Sequence, residues 1–291
     1  MKKASRIGFI DAIISSVGYG LYPLFAILLY KSGSSVSNSL FYRYIFAFLI
    51  YWYILKVHKK INLSVSFKEF ITLLFVGLSF AVSSIALFAA LKYIDSGIAC
   101  TIVFVYPVIV ALIMTLFFNE KLTKSTVISI VCAFLGVAFL NYAGEMHTGG
   151  KFLGFIFSLC GAIMYALYMI LVKKVKNIKY MQPEKVTFYV MLSGTVFYFI
   201  CLRFGLDFQL LTKPNQWIYV LCLALIPTII AIETVNVAIK LIGATKTSII
   251  GALEPLTAII VGVLVFGEQL SLFNLLGFLL VIAGIFLVVK K

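Results

Sequence analysis

Four tyrosines recur as two pairs in matching sequence contexts, and phenol rings at this spacing can contact one ligand together. Tyr19 and Tyr22 lie in the stretch GFIDAIISSVGYGLYPLF, and Tyr165 and Tyr168 lie in GFIFSLCGAIMYALYMIL, 146 residues further along the chain. A spacing of three residues puts both rings of a pair on one face of a helix. Rings arranged in this way can hold an ammonium group by cation–π contact. The alternative is that they only fill the space between packed helices.

Several polar residues stand where the other half of the chain has an apolar or aromatic residue at the matching position. These are Arg43, Glu233, Asn236 and Glu254, opposite Val190, Ile85, Phe88 and Tyr106. A charged side chain within an apolar run is costly, so each is a candidate for substrate contact. The carboxylates could pair with an ammonium group, and Arg43 with a carboxylate. The alternatives are that Arg43 lies at a headgroup or on a backbone carbonyl, and that Glu233 pairs with a lysine.

Two further residues complete the predicted substrate-binding set, and both lie in apolar runs. Tyr106 adds an aromatic ring, and Ser84 adds a hydroxyl group at mid-depth. The alternative for Ser84 is that its small side chain allows two helices to approach closely.

Four prolines also fall inside apolar runs, at Pro23, Pro107, Pro227 and Pro255. A proline removes a helix hydrogen bond and frees the carbonyl about four residues earlier, which is that of Gly251 in the last case. We therefore predict local helix openings that act as hinges beside a binding cavity. Helix curvature that serves packing alone is the alternative.

Membrane-spanning helices must position these residues, because 63% of the 291 residues are hydrophobic, only 12% are charged and the mean hydropathy is +1.13. Apolar runs of roughly twenty residues match the thickness of a bilayer core, and they lack the alternation of barrel strands. We predict an all-α polytopic membrane protein with ten transmembrane helices. The predicted spans are 7–30, 36–55, 70–91, 97–118, 127–142, 152–172, 186–202, 217–239, 247–266 and 272–289. The first run is too long for a signal peptide and is expected to be retained.

The net charge of +14 is distributed unevenly between the connecting segments. When these segments are assigned alternately to the two sides of a membrane, one side receives 18 Lys and Arg residues and the other five, with Arg43 inside a span. The positive-inside rule then places both termini in the cytoplasm, and the lipid bilayer accounts for the basic charge without nucleic acid. The five cysteines lie in apolar runs without C-x-x-C spacing, so we expect neither a metal nor a cofactor.

Further matches indicate that the chain is duplicated. LFYRY is matched by TFYVM 147 residues later, and Pro107 is matched by Pro255 at a shift of 148. We predict two five-helix repeats, residues 1–146 and 147–291. Because five is an odd number, the second repeat must be inverted in the membrane relative to the first. Inverted repeats have two nearly equivalent packings, each open to one side, and this predicts alternating access.

The chain resembles the EamA-type transporters of the drug/metabolite transporter superfamily over essentially its whole length. The resemblance is carried by FYRYIFAFLIYW, by ALKYIDSGIACTIVFVYPVIVALIMTLFFNEKL and by AIKLIGATKTSIIGALEPLTAIIVGVLVFGEQL. It implies a carrier of small metabolites in a bacterial inner membrane, with a central cavity lined by the first, third, fourth, sixth, eighth and ninth spans. It implies no single substrate. It also implies loop-capping roles for Glu120 and Glu268 and favours the structural alternative for Arg43.

Together, the residues and the resemblance predict a secondary transporter that moves an amino acid or an amine, in the direction of export, through an aromatic-lined cavity. A nucleobase- or nucleoside-like metabolite, a hydrophobic cationic drug and a channel are the open alternatives. Coupling to protons and facilitated diffusion are both open, as are a monomer and a homodimer. An enzyme is not expected, because the apolar runs contain no convincing acid pair, nucleophile arrangement or metal cluster.

Overall fold

The computed structural model describes residues 3–90, 93, 99, 102–140, 151–266 and 272–289, and the regular elements within these ranges are helices. The first half contains α1 (Lys3–Gly20), α2 (Tyr22–Lys31), α3 (Val36–Tyr53), α4 (Phe67–Ala90), α5 (Tyr106–Phe118) and α6 (Lys124–Leu140). The second half contains α7 (Lys151–Lys174), α8 (Lys176–Lys179), α9 (Pro183–Cys201), α10 (Pro214–Ala224), α11 (Ala231–Ile242), α12 (Ala244–Ile250), α13 (Leu253–Phe266) and α14 (Leu272–Val289). A π-helical turn, Ile54–His58, follows α3, and a π-helical segment, Leu225–Ile230, joins α10 to α11.

Among the described residues, six helical stretches are long and apolar enough to cross a membrane. They are Ala4–Leu29, Val36–His58, Phe67–Ala90, Phe152–Lys174, Pro214–Ile242 and Ala244–Val265. Shorter apolar helices occupy Tyr106–Phe118, Lys124–Phe139 and Leu275–Leu287. The predicted all-helical membrane fold is confirmed, whereas the count of ten spans stays a prediction. Parts of the predicted spans 97–118 and 127–142 lie outside the described residues.

Helices from the two halves of the chain pack against each other in a reciprocal way. Helix α1 packs along α11, and α4 packs along α7. The Ser15 hydroxyl donates to the Ala231 carbonyl (2.9 Å), and the Ser83 hydroxyl donates to the Gly161 carbonyl (2.8 Å). A shift of 146 residues takes position 15 to 161, and a shift of 148 takes 83 to 231. The two bonds therefore join the same two repeat positions in opposite order, which is what a twofold relation between the halves requires.

Helices α6 and α14 approach each other closely through glycines. A Cβ atom on Gly136 would lie 2.9 Å from the Gly277 carbonyl oxygen, and a Cβ atom on Gly284 would lie 2.9 Å from that of Ser129. These contacts are again reciprocal, because a shift of 148 takes 129 to 277 and 136 to 284. Small residues commonly allow backbones to meet in this way in membrane helix pairs.

We expect Gly136→Ala to lower the thermal stability of the purified protein. The added methyl group would meet backbone atoms that cannot move aside, and overpacking of this kind typically costs about 1–3 kcal/mol. The matched control is Gly161→Ala, because a Cβ atom there would meet its nearest neighbour at an ordinary 3.4 Å. Equal melting temperatures for the two variants in detergent would contradict this account of the α6–α14 interface.

The helices are interrupted at all four prolines. Pro23 follows the junction of α1 and α2, Pro107 lies in the first turn of α5, Pro227 lies in the π-helical segment, and Pro255 lies in the first turn of α13. The continuous first, eighth and ninth spans predicted from the sequence are therefore each built from two helices. The Gly251 carbonyl, which Pro255 cannot bond, accepts the backbone N–H of Glu254 instead (2.9 Å). The action of these prolines as hinges stays a prediction.

Candidate functional site

Helices α1, α4, α5 and α7 bring five aromatic rings together, and we call Tyr19, Phe80, Tyr106, Tyr165 and Tyr168 the aromatic cluster. The rings of Tyr165 and Tyr168 are stacked with centroids 6.0 Å apart. Phe80 lies 5.0 Å from Tyr168 and 6.1 Å from Tyr19, and Tyr106 meets Tyr165 edge to face at 4.7 Å. Three of the four paired tyrosines, Tyr19, Tyr165 and Tyr168, thus share one neighbour, Phe80.

Glu254 lies beside the aromatic cluster, in the first turn of α13. Its charge is within electrostatic range of Tyr19, Tyr106 and Tyr165. The Tyr106 hydroxyl packs directly on Gly251, at the interruption between α12 and α13, where no Cβ atom would fit. Glu254 is partly exposed, whereas Tyr106 and Tyr165 are buried. Within the described part of the chain its carboxylate makes no hydrogen bond or ion pair, which leaves it available to a cation.

Arg43 is 3% exposed and holds the π-helical segment between α10 and α11. Its Nε donates to the Thr228 hydroxyl (2.5 Å), and its Nη2 donates to the Pro227 carbonyl (2.8 Å). The Thr228 hydroxyl in turn donates to the Leu223 carbonyl (2.7 Å). A π-helical segment lacks the regular hydrogen bonds of an α-helix. The bonds from Arg43 and Thr228 satisfy two of its carbonyl groups, those of Pro227 and Leu223. Arg43 therefore has the carbonyl-clamping role that was the alternative in the sequence analysis, with Nη1 not used in the clamp.

The fourth paired tyrosine, Tyr22, lies on the guanidinium rather than among the other rings. The Arg43 Cζ atom is 4.6 Å from the centroid of the Tyr22 ring and 5.5 Å from that of Tyr44. Tyr22 also meets Phe88 edge to face at 5.3 Å. The interruption between α1 and α2 thus separates Tyr19, in the aromatic cluster, from Tyr22, beside the cation.

Asn236 is fully buried, and its amide group links three helices. It accepts a hydrogen bond from the Tyr168 hydroxyl (2.8 Å) and donates one to the Thr187 hydroxyl (3.0 Å). The amide therefore fixes the position of the Tyr168 ring through the hydroxyl of that tyrosine. Ser84 lies on α4 and donates to the Phe80 carbonyl within its own helix (3.2 Å).

Glu233 lies one turn before Asn236, in a group of charges that we call the ionic latch: Lys59, Glu184 and Glu233. The Lys59 ammonium is 2.9 Å from Glu233 and 3.7 Å from Glu184. Burial lowers the pKa of Lys59, but the hydrogen bond to Glu233 and the two carboxylate charges outweigh burial, so the net shift of the pKa is upward. Lys59 follows α3 in the first half, whereas both acids belong to the second half. Glu233 thus pairs with a lysine, as in the alternative that the sequence left open.

At the opposite end of α3, uncharged groups make the corresponding connection between the halves. The Asn38 side chain donates to the Gln209 carbonyl (2.9 Å), and the Gln209 backbone N–H donates back to the Asn38 side-chain oxygen (3.1 Å). We call this pair the amide clasp. The two ends of the molecule are therefore tied by different chemistry, an ion pair at one and amide hydrogen bonds at the other.

Sequence reasoning missed Phe80, Thr228, Tyr44 and Lys59. One signal was present: Thr228 follows Phe80 by 148 residues, so it is a further polar residue opposite an aromatic one. The same comparison that selected Arg43 would have selected Thr228, its hydrogen-bond partner. Lys59 was attributed to the general charge bias, and nothing in its local sequence distinguishes it from Lys56 or Lys60.

The chain matches known proteins along most of its length. The sequence model of the EamA-like transporter family matches residues 6–142 and again residues 152–290. An uncharacterized transporter of Archaeoglobus fulgidus is 24% identical over 200 residues, which are 68% of either chain. Two uncharacterized transporters of Bacillus subtilis are similar over 207 residues: YxxF is 27% identical, over 70% of this chain and 65% of its own, and YyaM is 28% identical, over 68% and 66%.

The curated relatives are thus matched over about two thirds of their length. A protein of known crystal structure superposes with a TM-score of 0.76 at 16% identity, covering 99% of this chain and 96% of that one. At this level of identity the superposition shows a shared fold.

Proposed function

Because the chain belongs to the EamA-like transporter family and is a multi-pass membrane protein, we propose that it is a secondary transporter for an amino acid or an amine. The observation that carries the proposal is Glu254, a carboxylate without a partner in the described part of the chain, placed beside the aromatic cluster. An ammonium group there would meet a negative charge and the faces of phenol rings together. Such cation–π contact is worth about 2 kcal/mol or more when it is shielded from water.

The interrupted helices give this site a means of moving. Tyr19, Tyr106 and Glu254 each lie within a few residues of a helix interruption. Small backbone rotations at these points would reorient a carboxylate or ring without unpacking a whole helix. We propose that the Pro23, Pro107, Pro227 and Pro255 segments act as the hinges of this movement.

Alternating access follows if the two halves are inverted repeats, residues 1–146 and 147–291, as the reciprocal Ser15 and Ser83 bonds support. One state then opens past the ionic latch and the other past the amide clasp. The charge bias of the connecting segments supports a cytoplasmic position for the latch, and membership of the EamA-like family supports a bacterial inner membrane. Export would carry the substrate from the latch side to the clasp side.

Counterflow into proteoliposomes tests this function. With unlabelled amino acids or amines inside, we expect saturable entry of the labelled compound that liposomes without protein do not show. Entry of nucleosides or hydrophobic cations, with no entry of amino acids or amines, would replace the substrate class but keep the carrier. Ion conductance without counterflow would instead favour a channel.

A further inference from the structure

Three hydrogen-bond donors beside the aromatic cluster have no acceptor in the described part of the chain. The buried hydroxyls of Tyr19 and Tyr44 make no hydrogen bond within the described part of the chain. Arg43 donates from Nε and Nη2 to the π-helical segment, and no described residue accepts from its Nη1. Arg43 and Tyr44 are both buried, at 3% and 0% exposed. Buried polar groups are nearly always hydrogen-bonded, so each exception calls for a partner.

These donors are close to one another. The Tyr44 ring centroid lies 5.5 Å from the Arg43 Cζ atom, and Tyr19 is within electrostatic range of both residues. The Ser84 hydroxyl, which donates to the Phe80 carbonyl, lies near that of Tyr44. The unmet groups thus form one cluster.

The charge of the cluster defines what it can bind. Arg43 carries a permanent positive charge, and no carboxylate among the described residues forms an ion pair with it. The missing partner must therefore be negative and must accept several hydrogen bonds. A carboxylate meets both conditions, since it accepts only and offers two oxygens.

The donors without acceptors also adjoin the proposed ammonium site. Tyr19 is within electrostatic range of Glu254 as well as of Arg43, so one side chain adjoins both a positive and a negative pole. A ligand that satisfies both poles must itself carry both charges. A simple amine would leave the donors of Arg43 and Tyr44 unmet.

We propose that Arg43, Tyr44 and Tyr19 form a carboxylate subsite, so that the substrate is an amino acid rather than an amine. This inference rests on the proposed function and narrows it. The Arg43 guanidinium would then donate hydrogen bonds both to the bound carboxylate and to the Pro227 carbonyl. One side chain would thus contact the substrate and the π-helical segment.

Matched pairs of ligands test the subsite, for example phenylalanine with phenethylamine and leucine with isoamylamine. We expect wild-type protein to bind the amino acid of each pair at least about tenfold more tightly, as competition in counterflow would measure, since hydrogen bonds to a charged group are the strong ones. Tyr44→Phe should weaken amino-acid binding about tenfold and leave amine binding unchanged. This variant should fold, because the hydroxyl it loses bonds to nothing in the described protein.

The control is Tyr198→Phe, which removes a hydroxyl that donates to the Ala81 carbonyl (2.9 Å) and should act equally on both ligands of a pair. Equal affinity of wild-type protein for amine and amino acid, or equal losses for both in Tyr44→Phe, would reject the subsite and leave the transporter of amines standing. Stabilisation by chloride that Tyr44→Phe removes, without preference for amino acids, would assign the cluster to an inorganic anion instead. Binding of neither ligand would reject the proposed function itself.

Discussion

Glu254→Gln is expected to reduce kcat/KM for amino acids and amines at least about 30-fold, because removing one partner of a buried charge pair costs about 2–5 kcal/mol. Glutamine has nearly the same shape, and the carboxylate makes no hydrogen bond or ion pair in the described part of the chain that folding would lose. The variant should therefore keep the melting temperature of the wild type while losing transport. Initial rates of counterflow in proteoliposomes measure the effect.

The matched control for this change is Glu120→Gln, which alters the same chemical group just after the end of α5. We expect its transport to equal that of the wild type. Equal losses in the two variants would mean that a general change of charge is responsible, and full transport in Glu254→Gln would remove Glu254 from the site.

The same Glu254 variant addresses coupling to protons. If Glu254 exchanges a proton during the cycle, the variant should lose accumulation driven by a pH gradient but keep slow movement down the gradient of the substrate itself. Facilitated diffusion predicts no accumulation in either protein. Full accumulation driven by pH in Glu254→Gln would exclude this residue as the proton carrier.

Reversing one charge of the ionic latch is expected to open that end of the molecule. Lys59→Glu would place three carboxylates together, and Glu233→Lys would place a second ammonium group beside Lys59. Each should raise the labelling of a cysteine at Thr187 by a membrane-impermeant maleimide several-fold, because Thr187 is buried one turn after Glu184 on α9. The measurement requires a background in which the five native cysteines are replaced by alanine.

The double variant Lys59→Glu with Glu233→Lys provides the decisive comparison. It restores an opposite pair, so labelling should return toward that of the wild type. Additive effects of the two reversals would show that no latch exists between these residues. Because the pKa of Lys59 is raised, its stabilising charge is complete below its usual pKa of 10.5 and is lost only at higher pH. Labelling should therefore not rise between neutral and mildly alkaline pH through loss of this proton.

The sequence predicted the helical membrane fold and most of the aromatic cluster, because apolar run length and side-chain spacing are local properties. Tyr165 and Tyr168 share a helical face wherever the helix is placed, and the stacking of their rings follows from that. The partners of Arg43 and Glu233 could not be predicted in the same way. Arg43 bonds to residues about 185 positions away in the sequence. Whether Glu233 meets Lys59 depends on how α11 lies against the π-helical turn that precedes this lysine. Local polarity indicates that a partner is needed but does not identify it.

The reciprocal glycine contacts of α6 and α14 have a consequence for how movement is observed in this molecule. Backbone touches backbone near both Gly136 and Gly284, so neither helix can slide or rotate past the other without steric overlap. The two helices should therefore behave as one rigid unit in the bilayer. Spin labels on its lipid-facing residues, such as Leu135 and Ile282, would then keep a constant separation and serve as the coordinate frame against which the displacement of every other helix is read.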